Sequence, residues 1–263
     1  MPFRKLPRPF VNYKRYPDGV EGLFFYEKQC PAHRPDWLET TSVPRKDGSE
    51  IHYCVINGLP ALVWAANLAD LELHTFLHRA PAITRPLVLA FDLDPGPPAD
   101  MVQCCQLGLW LKDLFAQLKL ECLPKTSGSK GLQVFVPLNT ALTYEKTKAF
   151  AQAVAHVLEK EFPKMVISNM QKRLRAGKVL IDLSQNDPHK TTVCVYSLRA
   201  KDHPTVSTPV TWNEVAAALK KKSAKLLTFE AADVLKRVEK LGDLFEPVLT
   251  LKQKIPAIDQ IQK

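Results

Sequence analysis

"LVLAFDLDPGPP", residues 87–98, is the stretch on which the fold is read. Its first five residues are apolar in an unbroken run and predict a buried strand. Asp92 and Asp94 then follow, one residue apart, and a Pro-Gly-Pro-Pro cluster stops the strand. Successive side chains on a strand point to opposite faces, so the two carboxylates project together while Leu93 turns into the core. Burying two carboxylates side by side is unfavourable unless something positive sits between them. The pair makes a hard, all-oxygen site of the kind Mg²⁺ or Mn²⁺ prefers. An isolated D-x-D is more often a pair of solvated carboxylates, so the other segments carry the decision.

Two of them change the odds. "GKVLIDL", residues 177–183, repeats the design, an apolar strand delivering Asp182 at its end. A neighbouring strand could thus complete three carboxylates around two cations, the known solution for in-line nucleotidyl transfer. "SGSKG", residues 127–131, supplies glycines that let backbone N–H groups turn toward an anion, with hydroxyls and a lysine as further donors. It lacks the Walker A spacing. Alone it reads as a surface turn; beside a carboxylate cluster in a basic protein it reads as a triphosphate cradle.

The 263 residues suit a large single domain or two packed lobes. The net charge of +9 points to a polyanionic partner such as nucleic acid. No apolar run is long enough to span a bilayer, and "MPFRKLPRPF" lacks the apolar region of a signal peptide. Six cysteines stand at scattered positions with no C-x-x-C pair, which argues against a disulfide framework and a zinc ribbon and for a reducing, cytoplasmic setting.

"NYKRYPDGVEGLFFYEK", residues 12–28, reads as a hairpin around a Pro-Asp-Gly turn. "HYCVI" (52–56) and "ALVWAA" (61–66) read as strand or buried segments, and "ANLADLELHTFLHRA" (66–80) as a short helix or loop carrying His74 and His78. A helix follows over 99–120, capped by Asp100, with Val102, Cys105, Leu109, Leu114 and Leu118 on its apolar face. A second amphipathic helix over 143–162 has Thr143 as its N-cap, and "KTTVCVYSLRA" (190–200) reads as one strand. The tail is helical and stops at Gly242. Strands and helices do not alternate in a steady βαβ rhythm, so a mixed or antiparallel sheet with packed helices, an α/β (α+β) fold, is expected.

Several long stretches in order carry a resemblance. "FDLDPGP", "KTSGSKGLQVFVPL", "RAGKVLIDLSQN" and "KTTVCVYSLRA…PTVSTPVTW" resemble the successive motifs of the polymerase domain of bacterial DNA ligase D, within the archaeo-eukaryotic primase superfamily; the likeness runs from about "YKRYPDGVEG" to "GDLFEPVL". It implies a primase-type catalytic core with a mixed or antiparallel, RNA-recognition-like sheet and an N-terminal α/β lobe. The expected division is a DNA-contacting lobe over 1–86, a catalytic core over 87–210 and C-terminal helices over 211–263. The implied activity is templated addition of nucleotides, ribonucleotides favoured, to DNA 3′ ends at gaps and double-strand breaks in non-homologous end joining, with two Mn²⁺ or Mg²⁺ ions. Ku and a ligase are the implied partners, and the size suits a stand-alone polymerase or an excised domain. De novo priming and a non-catalytic DNA-end-binding module are the alternatives; retention of all three aspartates favours the enzyme.

Residue by residue, Asp92, Asp94 and Asp182 match the metal-binding carboxylates. His74, Ser127, Lys130, Arg175, Gln185 and Arg199 match nucleotide contacts. Gln133 stands where the family usually shows histidine. Phe25 and Tyr26 match aromatics that stack on template DNA, with Lys14, Arg15 and Lys28 for its backbone. The family commonly carries a helical segment with lysines for a DNA 5′-phosphate ahead of "KRYPDGV", where this chain has about a dozen residues.

Overall fold

β6 (Val88–Pro95) runs through the middle of a five-stranded sheet. This is a computed structural model that describes residues 9–45 and 47–261; most of the short segment ahead of "KRYPDGV" therefore lies outside the described residues. β6 is flanked by β8 (Leu132–Pro137) and β10 (Val179–Asp182), both antiparallel to it. β7 (Leu123–Thr126) extends the sheet beyond β8, and β9 (Val166–Ile167) pairs parallel with β10. The sheet is thus mixed, as the irregular strand spacing predicts.

Parity sorts its two faces. Leu89, Phe91 and Leu93, with Leu132, Val134, Val136, Val179 and Ile181, pack in the main core. Against them lie α2 (Met101–Gln117) and α3 (Tyr144–Glu161), which contribute Cys104, Leu107, Leu111, Phe115, Phe150 and Val154. The other face carries Asp92, Asp94 and Asp182. Both helix starts follow from sequence. Asp100 accepts from the Val102 amide at 2.7 Å and Gln103 completes the capping box; Thr143 accepts from the Lys146 amide. The buried face of α2 differs from the expected one, sharing only Cys105 with it. Apolar residues cover most of α2, so period alone does not select the face.

A second sheet has the order β11 (Thr192–Val193), β5 (Asp70–Thr75), β1 (Val11–Arg15), β2 (Phe25–Glu27). β1 and β2 form the expected hairpin, with Gly19 at φ +83° in its connection. Segment 66–80 is not a helix: Leu71, Glu72, Leu73 and His74 alternate, and this period of two wins as β5. Segment 61–66 is not a strand: it lies in α1 (Leu59–Asn67), where Pro60 presets the first turn and Ala61 and Ala65, four apart, are buried. Segment 190–200 breaks into β11 and β12 (Leu198–Arg199) around Tyr196 at φ +65°. Because β11 pairs with β5, residues beyond 190 return to the N-terminal sheet.

β3 (Thr40–Pro44) and β4 (Glu50–Cys54) form a separate hairpin, and β12 pairs with β13 (Thr205–Val206). One disulfide is present although the spacing argues against a disulfide framework: Cys30 is joined to Cys54, with Cα atoms 5.1 Å apart. The Cys30 amide donates to the His52 carbonyl, which brings the loop after β2 against β4. Cys104, Cys105, Cys122 and Cys194 are free and buried. The C-terminal helices are α4 (Trp212–Lys220), α5 (Ala231–Leu241), which ends at Gly242, and α6 (Pro247–Thr250). Among the described residues no helix is long and apolar enough to cross a membrane.

Candidate active site

The strand ladders align one row of side chains across four strands. Lys125 pairs with Gln133, Gln133 with Asp92, and Asp92 with Asp182. Asp94, two residues on, shares their face. Directly opposed like charges are destabilising in a sheet. Burial, together with the Asp182 charge, pushes the Asp92 carboxyl up to about 6, against the hydrogen bond from Gln133. Asp94 lies 3.5 Å from both Lys130 and Arg175. Asp182 accepts the Ser184 amide at 2.8 Å.

The donor set suits a hard divalent cation: oxygen ligands only, and two carboxylates whose mutual repulsion a cation would relieve. Among the described residues no three acidic, imidazole or thiol groups form a complete cage. A cation here would complete its shell with water or substrate oxygens, as Mg²⁺ usually does.

These side chains open on a cleft of about 690 Å³, within the usual range for small-molecule sites. His74, Ser127, Lys130, Gln133, Gln185, Arg199, Tyr26 and Lys28 all line it, together with Asn12 and His189. Arg175 reaches the site through its ion pair with Asp94.

The SGSKG loop is shaped by its own first residue. Ser127 Oγ accepts from the Ser129 and Gly131 amides, both at 3.2 Å, so the hydroxyl closes the turn as well as facing the cleft. Gly128 sits at φ +67°, and a Cβ there would lie 2.7 Å from the Ser207 nitrogen. A Cβ on Gly131 would lie 2.4 Å from the Leu93 carbonyl oxygen, so only glycine lets the loop approach β6 this closely.

Gln133 is not an open end of the cradle. Its Oε1 accepts from Lys125 Nζ at 2.5 Å, and its Nε2 donates to Thr192 Oγ1 at 3.0 Å and hydrogen-bonds Asp92. The amide therefore stands behind the acid. Lys125, only 1% exposed, was not a sequence candidate. Burial pushes its pKa down to about 7, yet Nζ donates to three acceptors, Gln133 Oε1, the Val193 carbonyl at 3.1 Å and Ser207 Oγ at 2.6 Å. Ser207 Oγ itself donates to the Thr126 carbonyl. Three acceptors match the three protons of an ammonium.

The DNA candidates divide by face. Lys14 is opposite Tyr26, and Arg15 is opposite Phe25. Lys14 Nζ lies 4.3 Å from the Phe24 ring centre, 5.0 Å from Tyr16 and 5.8 Å from Tyr26, so Phe24 joins the exposed aromatic group although the sequence reading omitted it. Phe25 and Arg15, 5.2 Å apart, lie on the other face from Tyr26, and Arg15 is held by the Leu68 carbonyl and by Glu27. The structure does not bring these two to the cleft. Glu72, also missed, sits opposite Lys14 on β5. Its place two residues before His74 on an alternating strand was the signal available. Asn186 donates to and accepts from the Ala90 backbone and pins β6 just before the acids. His78, given no role from sequence, is buried against the Tyr144 hydroxyl at 2.6 Å.

Residues 4–245 match the family described as LigD, primase-polymerase domain. The chain is 42% identical over 244 residues to the multifunctional non-homologous end joining protein LigD of Mycolicibacterium smegmatis, which covers 90% of this chain and 31% of that protein. It is 32% identical over 233 residues to the bifunctional non-homologous end joining protein LigD of Bacillus subtilis, covering 88% of this chain and 36% of that one. Its fold is similar to a solved structure, the polymerase domain from Mycobacterium tuberculosis ligase D in complex with DNA, with a TM-score of 0.86, 36% identity and coverage of 95% and 88% of the two chains. The chain spans about a third of the length of these curated relatives.

Proposed function

The chain belongs to the LigD primase-polymerase family, and from that premise we propose that it is a metal-dependent, DNA-directed nucleotidyltransferase. It adds nucleotides, ribonucleotides favoured, to DNA 3′ ends at gaps and double-strand breaks during non-homologous end joining, in the cytoplasm at the nucleoid, with Ku and a ligase as partners. The observation that carries this reading is the pairing of Asp92 with Asp182, with Asp94 on the same face, in a cleft that also holds Lys130 and Arg199 and that Arg175 reaches through its ion pair with Asp94.

Asp92, Asp94 and Asp182 would hold two Mn²⁺ or Mg²⁺ ions, which would supply activation of the primer 3′-hydroxyl and charge neutralisation at the triphosphate. Lys130 and Arg175 lie within ion-pair distance of Asp94. They leave it for the phosphates as the nucleotide enters. Arg199 approaches from the SGSKG side, with its Nη1 3.3 Å from the Ser127 carbonyl. Tyr26 and Phe24 offer ring faces to template bases, which any base can stack on.

Labelled gapped, overhanging and unprimed DNA, incubated with ribo- or deoxyribonucleotides and Mn²⁺ or Mg²⁺, tests the reading. Extension at gaps and overhangs, stronger with ribonucleotides, is expected. DNA binding without incorporation under any condition would overturn the enzyme, and extension confined to unprimed DNA would make it a primase.

A further inference from the structure

Glu72 is an acid buried behind a cleft built for anions, beneath His74 and Arg199, which line it. It is 2% exposed and carries five partners from three strands and their edges. Oε1 accepts from Lys14 Nζ at 3.2 Å, the Tyr16 hydroxyl at 3.1 Å and the Ala200 amide at 3.2 Å. Oε2 lies 3.3 Å from His74 Nε2 and 3.2 Å from Arg199 Nε, the latter an ionic contact without hydrogen-bond alignment. A buried ion pair by itself is weak ground for any role beyond packing. The distribution of the partners says more. Lys14 and Tyr16 belong to the aromatic platform, since Lys14 Nζ stands over the rings of Phe24, Tyr16 and Tyr26. Arg199 reaches the SGSKG loop at Ser127, and His74 lines the cleft with its ring 5.7 Å from Tyr26. Oε1 thus ties the template side through Lys14 and Tyr16 and reaches the residue after Arg199 through the Ala200 amide, while Oε2 ties the nucleotide side through Arg199 and His74.

We propose that Glu72 is a positioning residue that couples template binding to nucleotide binding, holding the aromatic platform and the Arg199–His74 side of the cradle in one fixed relation. The proposal rests on the template and nucleotide roles assigned above. Glu72 touches neither ligand. A carboxylate can accept on both sides at once, and its negative charge compensates Lys14 and Arg199 together. An amide of the same shape accepts on one side only and turns its NH₂ toward donors on the other, so Glu72→Gln frees one side while leaving the acids of β6 and β10 in place. Because coupling between two binding sites is reciprocal, it can be read from either ligand.

The experiment measures the affinity of the wild-type chain for a non-hydrolysable nucleoside triphosphate with Mg²⁺, alone and with primed DNA whose template base is complementary. The complementary template is expected to tighten nucleotide binding by about tenfold, within the usual span of coupling between sites. In Glu72→Gln the factor should fall below about threefold, with mismatched incorporation rising, while kcat at saturating nucleotide changes less than KM. A purely structural role would lower thermal stability and leave the coupling factor and the mismatch ratio as in wild type, and that result overturns the proposal. Should Glu72→Gln fail to fold, Lys14→Met cuts the platform tie from the other end and must lose the coupling in the same way; wild-type coupling there overturns the proposal equally. A wild-type chain that binds neither nucleotide nor DNA would instead defeat the polymerase reading.

Discussion

Two rows of paired side chains cross this molecule, and their charges are balanced in opposite ways. In the five-stranded sheet, Lys125, Gln133, Asp92 and Asp182 stand side by side. The row ends in two carboxylates that repel each other, and Asp92 is pushed up to about 6. In the four-stranded sheet, Tyr26, Lys14 and Glu72 stand side by side. There burial would push Glu72 up, but the His74 hydrogen bond and the charges of Arg199 and Lys14 overcome it and hold the carboxyl down at about 2. One row carries a carboxylate repulsion that a cation would relieve. The other is satisfied by the protein's own donors. Charge balance therefore separates the row proposed to react from the row proposed to organise, although both rest on strand carboxylates, one lining the cleft and one buried behind it.

The largest test of this contrast is Asp182→Ala. It should lower nucleotide incorporation by about a thousandfold, several kcal/mol of lost cation-assisted stabilisation, and leave DNA affinity within about twofold. Primer extension beside a DNA-binding titration measures both. Extension within about tenfold of wild type would remove the first row from the chemistry.

Stability without metal should move in opposite directions for the two acids. The folded Asp92 pKa, about 6, lies above its ordinary value of 3.8, so wild-type stability falls as pH rises between those values. Asp92→Asn has no such fall. In chelator its advantage over wild type should be absent below about pH 4 and reach about 1–3 kcal/mol above about pH 6. The folded Glu72 pKa, about 2, lies below its ordinary 4.5, so its contribution is present above about pH 4.5 and is lost as pH falls toward 2. Glu72→Gln should therefore be destabilised at neutral pH. Thermal melts across pH 3–8 decide it, and shifts of the same sign at pH 7 would break the comparison.

A smaller effect separates the two faces of the aromatic strand. Tyr26→Ala should weaken DNA binding by about tenfold, near the 1–3 kcal/mol per stacked base. Phe25→Ala, on the opposite face with Arg15, should change it by less than about twofold, within the scatter of surface substitutions. Equal losses in a fluorescence binding titration would mean that both faces meet DNA.

The smallest effect concerns Gln133→Ala. One lost hydrogen bond of about 0.5–1.5 kcal/mol should lower kcat by about three- to tenfold with KM little changed, because the amide orients Asp92. A change in KM alone would show the amide turning to the triphosphate instead.

The five-stranded sheet was legible because its candidate chemistry coincides with local pattern. An apolar run followed by an acid marks β6 and β10, Asp100 and Thr143 mark helix starts, and SGSKG marks a turn that needs glycine. The four-stranded sheet and the short strands around it were less legible. β2 has three residues, β11 and β12 have two each, and elements this short carry no period. The alternation of 71–74 was present but lay inside a mixed apolar stretch, and "ALVWAA" carries β-branched and aromatic residues that fit strand or helix. Lys125 and Glu72 escaped because a lysine or glutamate in a strand is ordinarily a solvated charge. Only the pairing of distant strands shows that both are buried and fully engaged. The Cys30–Cys54 bond likewise joins residues 24 apart whose spacing matches no framework.

The strand register has a consequence for chain length. Every group in the row of Lys125, Gln133, Asp92 and Asp182 occupies its face by parity, since Asp92 and Asp94 are even-numbered partners on one side while Phe91 and Leu93 fill the core on the other. Deleting one residue between Val88 and Asp92, with the upstream end of the strand held in place, would turn both acids under α2 and bring Phe91 and Leu93 out into the cleft. The same holds for β8 ahead of Gln133 and β10 ahead of Asp182. Exposed connections such as the turn after α3 obey no such odd–even rule. Insertions and deletions should thus be tolerated at the loop tips and forbidden singly inside these three strands, where counting residues matters as much as choosing them.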